Sequence, residues 1–281
     1  MYHINQKIPA KDSILALILL ISGISNANAD PITLGQAASF GVLAGSTVTN
    51  TGPSLVFGNV GVSPGTAITG FLPGLLSGGV FHLNDAVAVQ AQLDLTTAYN
   101  VIANEASTQD LTGQDLGNRT LLPGVYHFNS SAQLTGALIL DALGDPNARF
   151  DFQIGSSLTT ASSSSVSMIN SGGTGNVYWQ VGSSATLGTS STFAGNILAL
   201  TSITLTTGAT NPGGRALARN GAVTLDTNIL GASTAPEPPS SLLFCLGLLL
   251  IYPFLPRRRA SLQKIEIERE PRVLSPHTSA C

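Results

Sequence analysis

Cysteine is scarce in this chain of 281 residues: Cys245 and Cys281 are the two present, and both lie near the C-terminus. Residues 30–232 therefore contain no thiol for a disulfide or for a thiolate metal site. Packing and backbone hydrogen bonds alone must hold this region together. At about 200 residues it is long enough to bury a substantial core.

Charge is also scarce. Residues 30–232 contain no lysine, four arginines and ten acidic residues, which gives a formal charge of −6. A nucleic-acid partner requires clustered Lys and Arg side chains against phosphates, so we expect none. Regularly placed Val, Ile, Leu and Phe distinguish the region from disordered chains of low charge.

The first 29 residues have the pattern of a secretory signal peptide. Two lysines precede an apolar run over residues 14–24, and the small-x-small triplet Ala27-Asn28-Ala29 follows as a cleavage site. The alternative, an N-terminal membrane anchor, needs a run of roughly 20 apolar residues, and this run is shorter. We expect export, with the mature chain beginning at Asp30.

Residues 233–259 form a tripartite segment: Pro236-Glu237-Pro238, an apolar stretch over residues 240–256, and three arginines at 257–259. It resembles the PEP-type C-terminal sorting signal of Gram-negative bacteria, which implies a membrane segment and an exosortase-type processing enzyme as partner. The arginines fit a cytoplasmic side. The alternative is a plain membrane anchor, and residues 260–281 are predicted to be a disordered tail.

Residues 84–105 carry the one strong helix pattern. Apolar side chains recur at spacings of three and four, and Asn84 is placed as a possible N-cap. The apolar stripe consists of Val87, Ala91, Leu95, Ala98, Tyr99 and Ile102. We expect this helix, roughly 30 Å long, to lie along a sheet face; docking of a partner protein is the alternative.

After residue 113 the chain repeats itself. The similar segments 128–134, 154–160 and 181–187 start 26 and 27 residues apart, and residues 201–205 return as residues 221–225. Short β-runs that repeat at this period, with small residues between them, predict a β-solenoid whose coils stack about 4.8 Å apart.

Threonine and serine recur at equivalent places in these coils as T-x-x-T-like motifs. Threonine favours strands, and period-two alternation sends neighbouring side chains to opposite faces. The earlier segment 66–69 has the same form. The candidate surface residues are Thr66, Thr69, Ser162, Ser165, Thr189, Thr192, Thr207, Thr210 and Thr227.

Residues with catalytic or metal-binding potential do not form a recognisable pattern. His82 and His127 have no metal-ligand spacing, and no serine lies in a G-x-S-x-G motif. Asp141, Asp145 and Asp151 lie around a turn, and turn chemistry explains two of them without a metal. We therefore expect no enzyme activity, no cofactor and no metal.

Seven blocks in order along the chain resemble the microbial ice-binding (antifreeze) protein family. They span residues 32–229: ITLGQAASFGVLAGSTVTNTG, NVGVSPGTAITGF, DAVAVQAQLDLTTAYN, LTGQDLGNRTLLPGVYHF, GDPNARFDFQIGSSLTTA, VYWQVGSSATLGTSSTFAGNILALTSITL and GRALARNGAVTLDTN. The resemblance implies an all-β fold, a discontinuous right-handed β-helix of triangular section with the long helix packed alongside. It also implies ice binding through one face, for which several members use T-A/G-x-T/N motifs. Residues 66–69 and 207–210 match this motif, whereas residues 162–165 and 189–192 depart from it.

The resemblance and the threonines together predict an exported, monomeric protein that adsorbs to ice through residues 30–232. Because serine lacks threonine's methyl group, the serine-only motif at residues 162–165 leads us to expect modest activity. The alternative is a structural or adhesive protein of the cell surface or extracellular matrix on the same fold. A polysaccharide-cleaving enzyme would need paired carboxylates on one coil face, and the sequence does not place such a pair.

Overall fold

Parallel strand pairing organises the part of the chain that the structure describes. A computed structural model describes residues 32–170 and 176–231. A short 3₁₀ helix, Gly35–Ser39, comes first. Seven strands follow it: β1 (Phe40–Ala44), β2 (Thr47–Thr51), β3 (Leu55–Phe57), β4 (Asn59–Val62), β5 (Ala67–Thr69), β6 (Leu75–Ser77) and β7 (Phe81–Leu83).

The helix α1 (Ala86–Ala103) separates these strands from the second group. That group consists of β8 (Gln109–Asp110), β9 (Arg119–Leu121), β10 (Gly124–Phe128), β11 (Ala132–Leu134), β12 (Ala137–Asp141), β13 (Phe150–Ile154), β14 (Leu158–Thr160), β15 (Ser165–Ile169), β16 (Val177–Val181), β17 (Ala185–Leu187), β18 (Asn196–Ala199), β19 (Ile203–Leu205), β20 (Thr210–Pro212), β21 (Arg215–Ala218), β22 (Val223–Asp226) and β23 (Ile229–Gly231).

Consecutive strands along the chain belong to three different sheets in turn. The helix-side sheet has the order β7-β4-β1-β21-β18-β16-β13-β10-β8, and the ladder sheet has the order β11-β14-β17-β19-β22-β2-β5. The third sheet consists of β9, β12 and β15, and of β20, β23, β3 and β6, joined by isolated bridges through Thr192. Every pairing between named strands is parallel, so each coil supplies about one strand to each sheet.

The repeat read from the sequence is confirmed by the strand register. Phe128 pairs with Ile154, and Ile154 pairs with Val181, so the three similar segments stack directly on one another. The expectation of a mostly β fold with one long helix is likewise confirmed.

The N-terminal strands do not lie beside the strands that follow them in the second group. Instead, β1 pairs with β21, β2 pairs with β22 and β3 pairs with β23. The first coils therefore stack beyond the last coil of the second group. The helix α1 then leads the chain from β7, at one end of the helix-side sheet, towards β8 at the other end.

The main core lies between the three sheets and consists of buried aliphatic and aromatic side chains. Tyr126, Phe152, Trp179 and Phe193 stack in sequence, with centroids of Phe152 and Trp179 3.8 Å apart. The indole Nε1 of Trp179 donates to the carbonyl of Ala194 at 3.0 Å, so this buried ring has no unpaired polar atom. The aromatic stack continues the register of the strands into the core.

The helix lies along the outer face of the helix-side sheet, as predicted. Its buried residues pack in a second apolar cluster with Leu43, Leu198 and Leu217. Asp85, rather than the predicted Asn84, is the N-cap: its Oδ1 accepts from the Ala88 amide at 2.9 Å. Asn84 lies one residue earlier with a positive φ of 49°, outside the extended conformation that is typical of an N-cap.

Three predicted segments lie outside the described residues: the signal peptide at residues 1–29, the sorting signal and membrane segment at residues 233–259, and the tail at residues 260–281. Within residues 32–170 and 176–231, no helix combines the length and the apolar character needed to span a membrane.

Candidate functional site

A row of six threonines crosses the outer face of the ladder sheet. Five of them lie between two buried residues of a strand, as in Ala185-Thr186-Leu187, and the sixth, Thr69, is the last residue of β5. The strand register places them directly opposite one another from coil to coil. We call this row the threonine ladder: Thr159, Thr186, Thr204, Thr224, Thr49 and Thr69. Gln133 continues it beyond Thr159.

The ladder residues are accessible to solvent along the whole row. Thr49, Thr69 and Thr159 are exposed, and the three threonines between them are partly exposed. Neighbouring rungs are one strand spacing apart, about 4.8 Å. The ladder is therefore a regular line of hydroxyl and methyl groups.

A second row of small residues, which we call the small row, runs beside the ladder, two positions before each ladder residue in the sequence. Its members are Ser131, Ser157, Ser184, Ser202, Ala222, Thr47 and Ala67. The hydroxyls of Ser131 and Ser157 are 3.0 Å apart, and Ser202 Oγ accepts from the Ala222 amide at 3.2 Å. Neither this row nor the threonine ladder contains a charged residue.

Six of the nine predicted surface residues lie next to the ladder, where the chain turns from the ladder sheet into the third sheet. Ser165, Thr192 and Thr210 are aligned by bridges, as the sequence predicts. Ser162, Thr189 and Thr207 lie three residues earlier in the same coils, at the corner. The two sets thus form a corner row and the first outer row of the third sheet.

The corner row has a regular backbone hydrogen-bond pattern that fixes its register. Amides donate across neighbouring coils from Ser163 to the Thr189 carbonyl, from Ser190 to Thr207, from Gly208 to Asp226, and from Thr227 to Thr51, at 2.9 to 3.0 Å. All four donor residues have positive φ, from 56° to 70°. The corner row is therefore Ser162, Thr189, Thr207, Asp226 and Thr51.

Thr227 differs from the sequence expectation in its position. It takes the left-handed turn position of Ser190 and Gly208, with φ 58°, and the residue equivalent to Thr207 is Asp226. The last coil is one residue shorter at this point: no residue separates Leu225 from Asp226, whereas one residue separates Leu205 from Thr207. The sequence pattern does not reveal this difference.

Thr66 and Thr69 also lie apart from the other T-x-x-T-like segments. Thr69 is the terminal rung of the threonine ladder, opposite Thr49. Thr66 precedes β5, on the opposite edge of the ladder sheet from the corner row. Their similarity to residues 207–210 is one of sequence and not of position.

Asp226 is the one charged member of these rows. Its Oδ2 accepts from the Thr207 hydroxyl at 2.5 Å, and its Oδ1 accepts from the Thr227 hydroxyl at 3.0 Å. Its amide donates to Oδ1 of the buried Asn228 at 2.6 Å, and Asn228 Nδ2 donates to the carbonyls of Thr206 and Ala209. Asn228 thus holds the corner from inside, while the Asp226 carboxylate binds two threonine hydroxyls outside.

The acidic residues considered as a possible metal or acid pair lie away from these rows. Asp141 Oδ1 accepts from the Leu143 amide and from Asn170 Nδ2, and Asp145 Oδ1 accepts from the Asn147 amide. The pKa of Asp141 is lowered, first by the Asn170 hydrogen bond. Among residues 32–170 and 176–231, His, Cys, Asp and Glu side chains do not gather in a group that could hold a metal ion.

Asp151 has a structural role that the sequence did not indicate. It is fully buried on β13, and its Oδ2 lies 2.7 Å from Arg149 Nη2, which also pairs with Glu105 just after α1. Burial and the neighbouring Glu105 carboxyl raise the pKa of Asp151 to about 8, despite Arg149. Gln153 Nε2 adds hydrogen bonds to the carbonyls of Ile102 and Glu105, so this cluster fastens the end of the helix to the sheet.

Comparison with known proteins gives one consistent family. The family model described as Ice-binding-like matches residues 42–230. An ice-binding protein of Nostoc sp. (strain HG1) is 56% identical over 252 residues, covering 86% of this chain and 92% of that protein. The crystal structure of an ice-binding protein from an Antarctic biological consortium is similar with a TM-score of 0.69 and 50% identity, covering 72% and 91% of the two chains. That of the Antarctic ascomycete Antarctomyces psychrotrophicus gives 0.68 and 42%, covering 71% and 97%.

Proposed function

Because this chain belongs to the Ice-binding-like family, we propose that it adsorbs to ice and thereby inhibits ice growth or recrystallisation. The observation that carries the proposal is the threonine ladder: six threonines in register on neighbouring parallel strands, without a charge among them.

The chemistry of the ladder suits a crystalline ligand rather than a small molecule. Ice presents a fixed lattice of oxygens, so a binder needs a rigid, repeated array instead of a pocket. Each rung supplies a hydroxyl that can donate and accept, and a methyl group that orders adjacent water by offering it no hydrogen bond. The β-branched side chain restricts χ1, which keeps successive rungs in register. Charged groups would bind liquid water strongly, and the ladder has none.

The surface that we propose has the threonine ladder at its centre. The small row beside the ladder extends it on one side, and the corner row extends it on the other. Of the residues predicted from the sequence, Thr69 belongs to the ladder, and Ser162, Thr189 and Thr207 belong to the corner row. Ser165, Thr192 and Thr210 lie on the adjoining third sheet, and Thr66 and Thr227 border the surface.

The strand order supports a specific architecture for this surface. In our proposal the three sheets are the sides of a discontinuous right-handed β-helix of triangular section, with α1 alongside. The rotation of strands among three sheets favours this architecture, and the pairing of β1 with β21 is the discontinuity. Hydrogen bonds between coils would keep the surface rigid.

The ends of the chain suggest where the protein acts. We propose that residues 1–29 direct export and that residues 233–259 act as a PEP-type sorting signal, with an exosortase-type enzyme and the membrane as partners. The protein would then act at the cell surface or outside the cell of a Gram-negative bacterium, as a monomer and without catalytic activity. Mass spectrometry of the exported protein would locate both cleavage sites.

Ice-affinity partitioning of the whole chain, together with thermal hysteresis and recrystallisation inhibition, tests the proposed function. Thr204→Tyr places a protruding ring in the centre of the ladder, and Thr97→Tyr makes the same change on the exposed face of α1. We expect Thr204→Tyr to abolish most ice binding and Thr97→Tyr to leave it intact.

The opposite outcomes favour the alternative function. Absence of ice activity from the parent chain at high concentration would overturn the proposal and leave a structural or adhesive role in the extracellular matrix. Equal loss in both variants would indicate a general effect on folding, which thermal unfolding followed by Trp179 fluorescence would reveal.

A further inference from the structure

Asp226 interrupts a row that otherwise consists of hydroxyl side chains. Along the corner row, Ser162, Thr189 and Thr207 precede it and Thr51 follows it, and Asp226 pairs directly with Thr51 in the strand register. The equivalent position in four coils thus carries a serine or threonine, and in one coil a carboxylate.

The carboxylate also withdraws hydroxyl groups from the surface around it. Thr207 donates to one of its oxygens at 2.5 Å and Thr227 donates to the other at 3.0 Å. Charge-assisted hydrogen bonds of this kind are roughly twice as strong as those between neutral groups. Both donors are therefore committed to Asp226 and are not free to donate to water at an ice surface.

We propose that Asp226 limits the adsorption of this protein to ice, because it places a charge in the corner row and holds the hydroxyls of Thr207 and Thr227. This inference rests on the proposed function and identifies a residue that sets its strength. Asp226 acts on the surface by orienting the two threonine hydroxyls and by retaining liquid water. It also separates Thr51 from the other hydroxyl residues of the corner row.

The contacts of Asp226 indicate that its side chain is dispensable for the fold. Both hydroxyls that it accepts from belong to exposed residues, which can bind water instead. The buried side of the corner is held by Asn228 through the Asp226 backbone amide, which a substitution keeps. Replacement by threonine, a strand-favouring residue, would match Thr51 across the pair.

The experiment compares Asp226→Thr and Asp226→Asn with the parent chain. Asp226→Thr removes the charge and adds a hydroxyl and a methyl group, whereas Asp226→Asn removes only the charge and keeps an acceptor for Thr207. Asp145→Asn, in a turn between the third sheet and the helix-side sheet, controls for the change in net charge.

We expect Asp226→Thr to reach the parent's thermal hysteresis at a concentration lower by about two- to tenfold, the factor that one net hydrogen bond provides. Asp226→Asn should lie between this variant and the parent, and Asp145→Asn should equal the parent. Thermal unfolding followed by Trp179 fluorescence confirms that each variant is folded. If Asp226→Thr does not fold, Asp226→Asn alone carries the comparison.

The remaining outcomes overturn either the role of Asp226 or the proposed function. If the parent chain binds ice and neither Asp226 variant exceeds it, the role of Asp226 is overturned while the proposed function stands. An equal gain in Asp145→Asn would attribute the effect to net charge and also overturn it. If the parent chain lacks ice activity, the proposed function fails, and the inference about Asp226, which rests on it, fails with it.

Discussion

Thr186 lies directly opposite Thr204 on the neighbouring strand of the ladder sheet, and Thr204 in turn lies opposite Thr224. These three rungs are at the centre of the row, with at least one further threonine beyond each end. Any change at Thr204 therefore affects contacts made by rungs on both of its sides, which makes this residue the most informative position for substitution.

One substitution in each of three rows measures how much the threonine ladder, the corner row and the outer row of the third sheet contribute to ice binding. We expect Thr204→Tyr, in the ladder, to lower the ice-bound fraction about tenfold or more, which corresponds to a loss of about 1.4 kcal/mol or more. Thr207→Tyr, at the corner, should cause a smaller loss because its hydroxyl already binds Asp226. Thr210→Tyr, on the third sheet, should cause the smallest. Ice-affinity partitioning measures all three, and a largest loss at Thr210 would place the binding surface on the third sheet.

The two halves of the threonine side chain can be separated at a single rung. Thr204→Val keeps the methyl group and the restricted χ1 angle, whereas Thr204→Ser keeps the hydroxyl and gains rotamer freedom. We expect Thr204→Ser to lose more thermal hysteresis than Thr204→Val, since rungs must stay in register to match a crystal. Greater activity in the serine variant would show that the hydroxyl alone determines adsorption.

Asp151 makes the stability of the fold depend on pH. Its pKa is raised to about 8 in the folded chain from an ordinary value of 3.8, so the folded state binds more protons than the unfolded state between these values. The free energy of unfolding that Asp151 contributes should therefore fall as the pH rises from about 4 to about 8. Asp151→Asn should flatten this part of the profile, as urea denaturation at several pH values would show.

Asp145→Asn provides the matched control for that measurement, because Asp145 lies in an exposed turn. Its profile should follow that of the parent chain. A parent profile that rises between pH 4 and pH 8, and that does not change in Asp151→Asn, would contradict the role assigned to the cluster of Glu105, Arg149 and the buried Asp151.

Asn228 should contribute strongly to stability although it cannot reach the surface. It is fully buried, and its Nδ2 donates to the carbonyls of Thr206 and Ala209 at 2.9 Å. Asn228→Ala leaves these acceptors and the Asp226 amide without their partner, so we expect a loss of about 2–4 kcal/mol in the free energy of unfolding. Asn220→Ala, at an exposed position, should change it by less than about 0.5 kcal/mol. Urea denaturation followed by Trp179 fluorescence distinguishes the two.

The helix and the coil repeat could be predicted from the sequence because both depend on local periodicity. The spacing of Ala91, Leu95, Ala98 and Ile102 matches one helical face, and all four are buried against the sheet. The sequence places the N-cap one residue too early, because Asn84 and Asp85 are both good capping residues and sequence spacing does not distinguish them.

The threonine ladder was harder to predict, although its signal is present. Five coils contain a threonine between two buried residues, as in Ile203-Thr204-Leu205 and Val223-Thr224-Leu225. The pattern of two threonines three residues apart instead predicts residues at the corner. One threonine per strand is unremarkable alone, and it becomes a surface only when the register of the coils is known.

The register of the N-terminal coils could not be read from the chain at all. Thr49 joins the ladder through its pairing with Thr224, 175 residues later in the sequence. No local pattern encodes a pairing over such a separation. For the same reason the sequence aligns Thr66 and Thr69 with Thr207 and Thr210, whereas their positions in the ladder sheet differ.

The pairing of the first coils with the last also determines when the surface can exist. During synthesis β1, β2 and β3 emerge early, but their partners β21, β22 and β23 are the last described strands to be made. Until Val223 and Thr224 are available, Thr49 and Thr69 have no place beside the other four rungs. A ribosome-bound or prematurely ended chain can stack its middle coils, yet it carries an interrupted ladder and an unpaired strand edge. The full row of threonines therefore assembles only in a chain that has been synthesised through to its final coil.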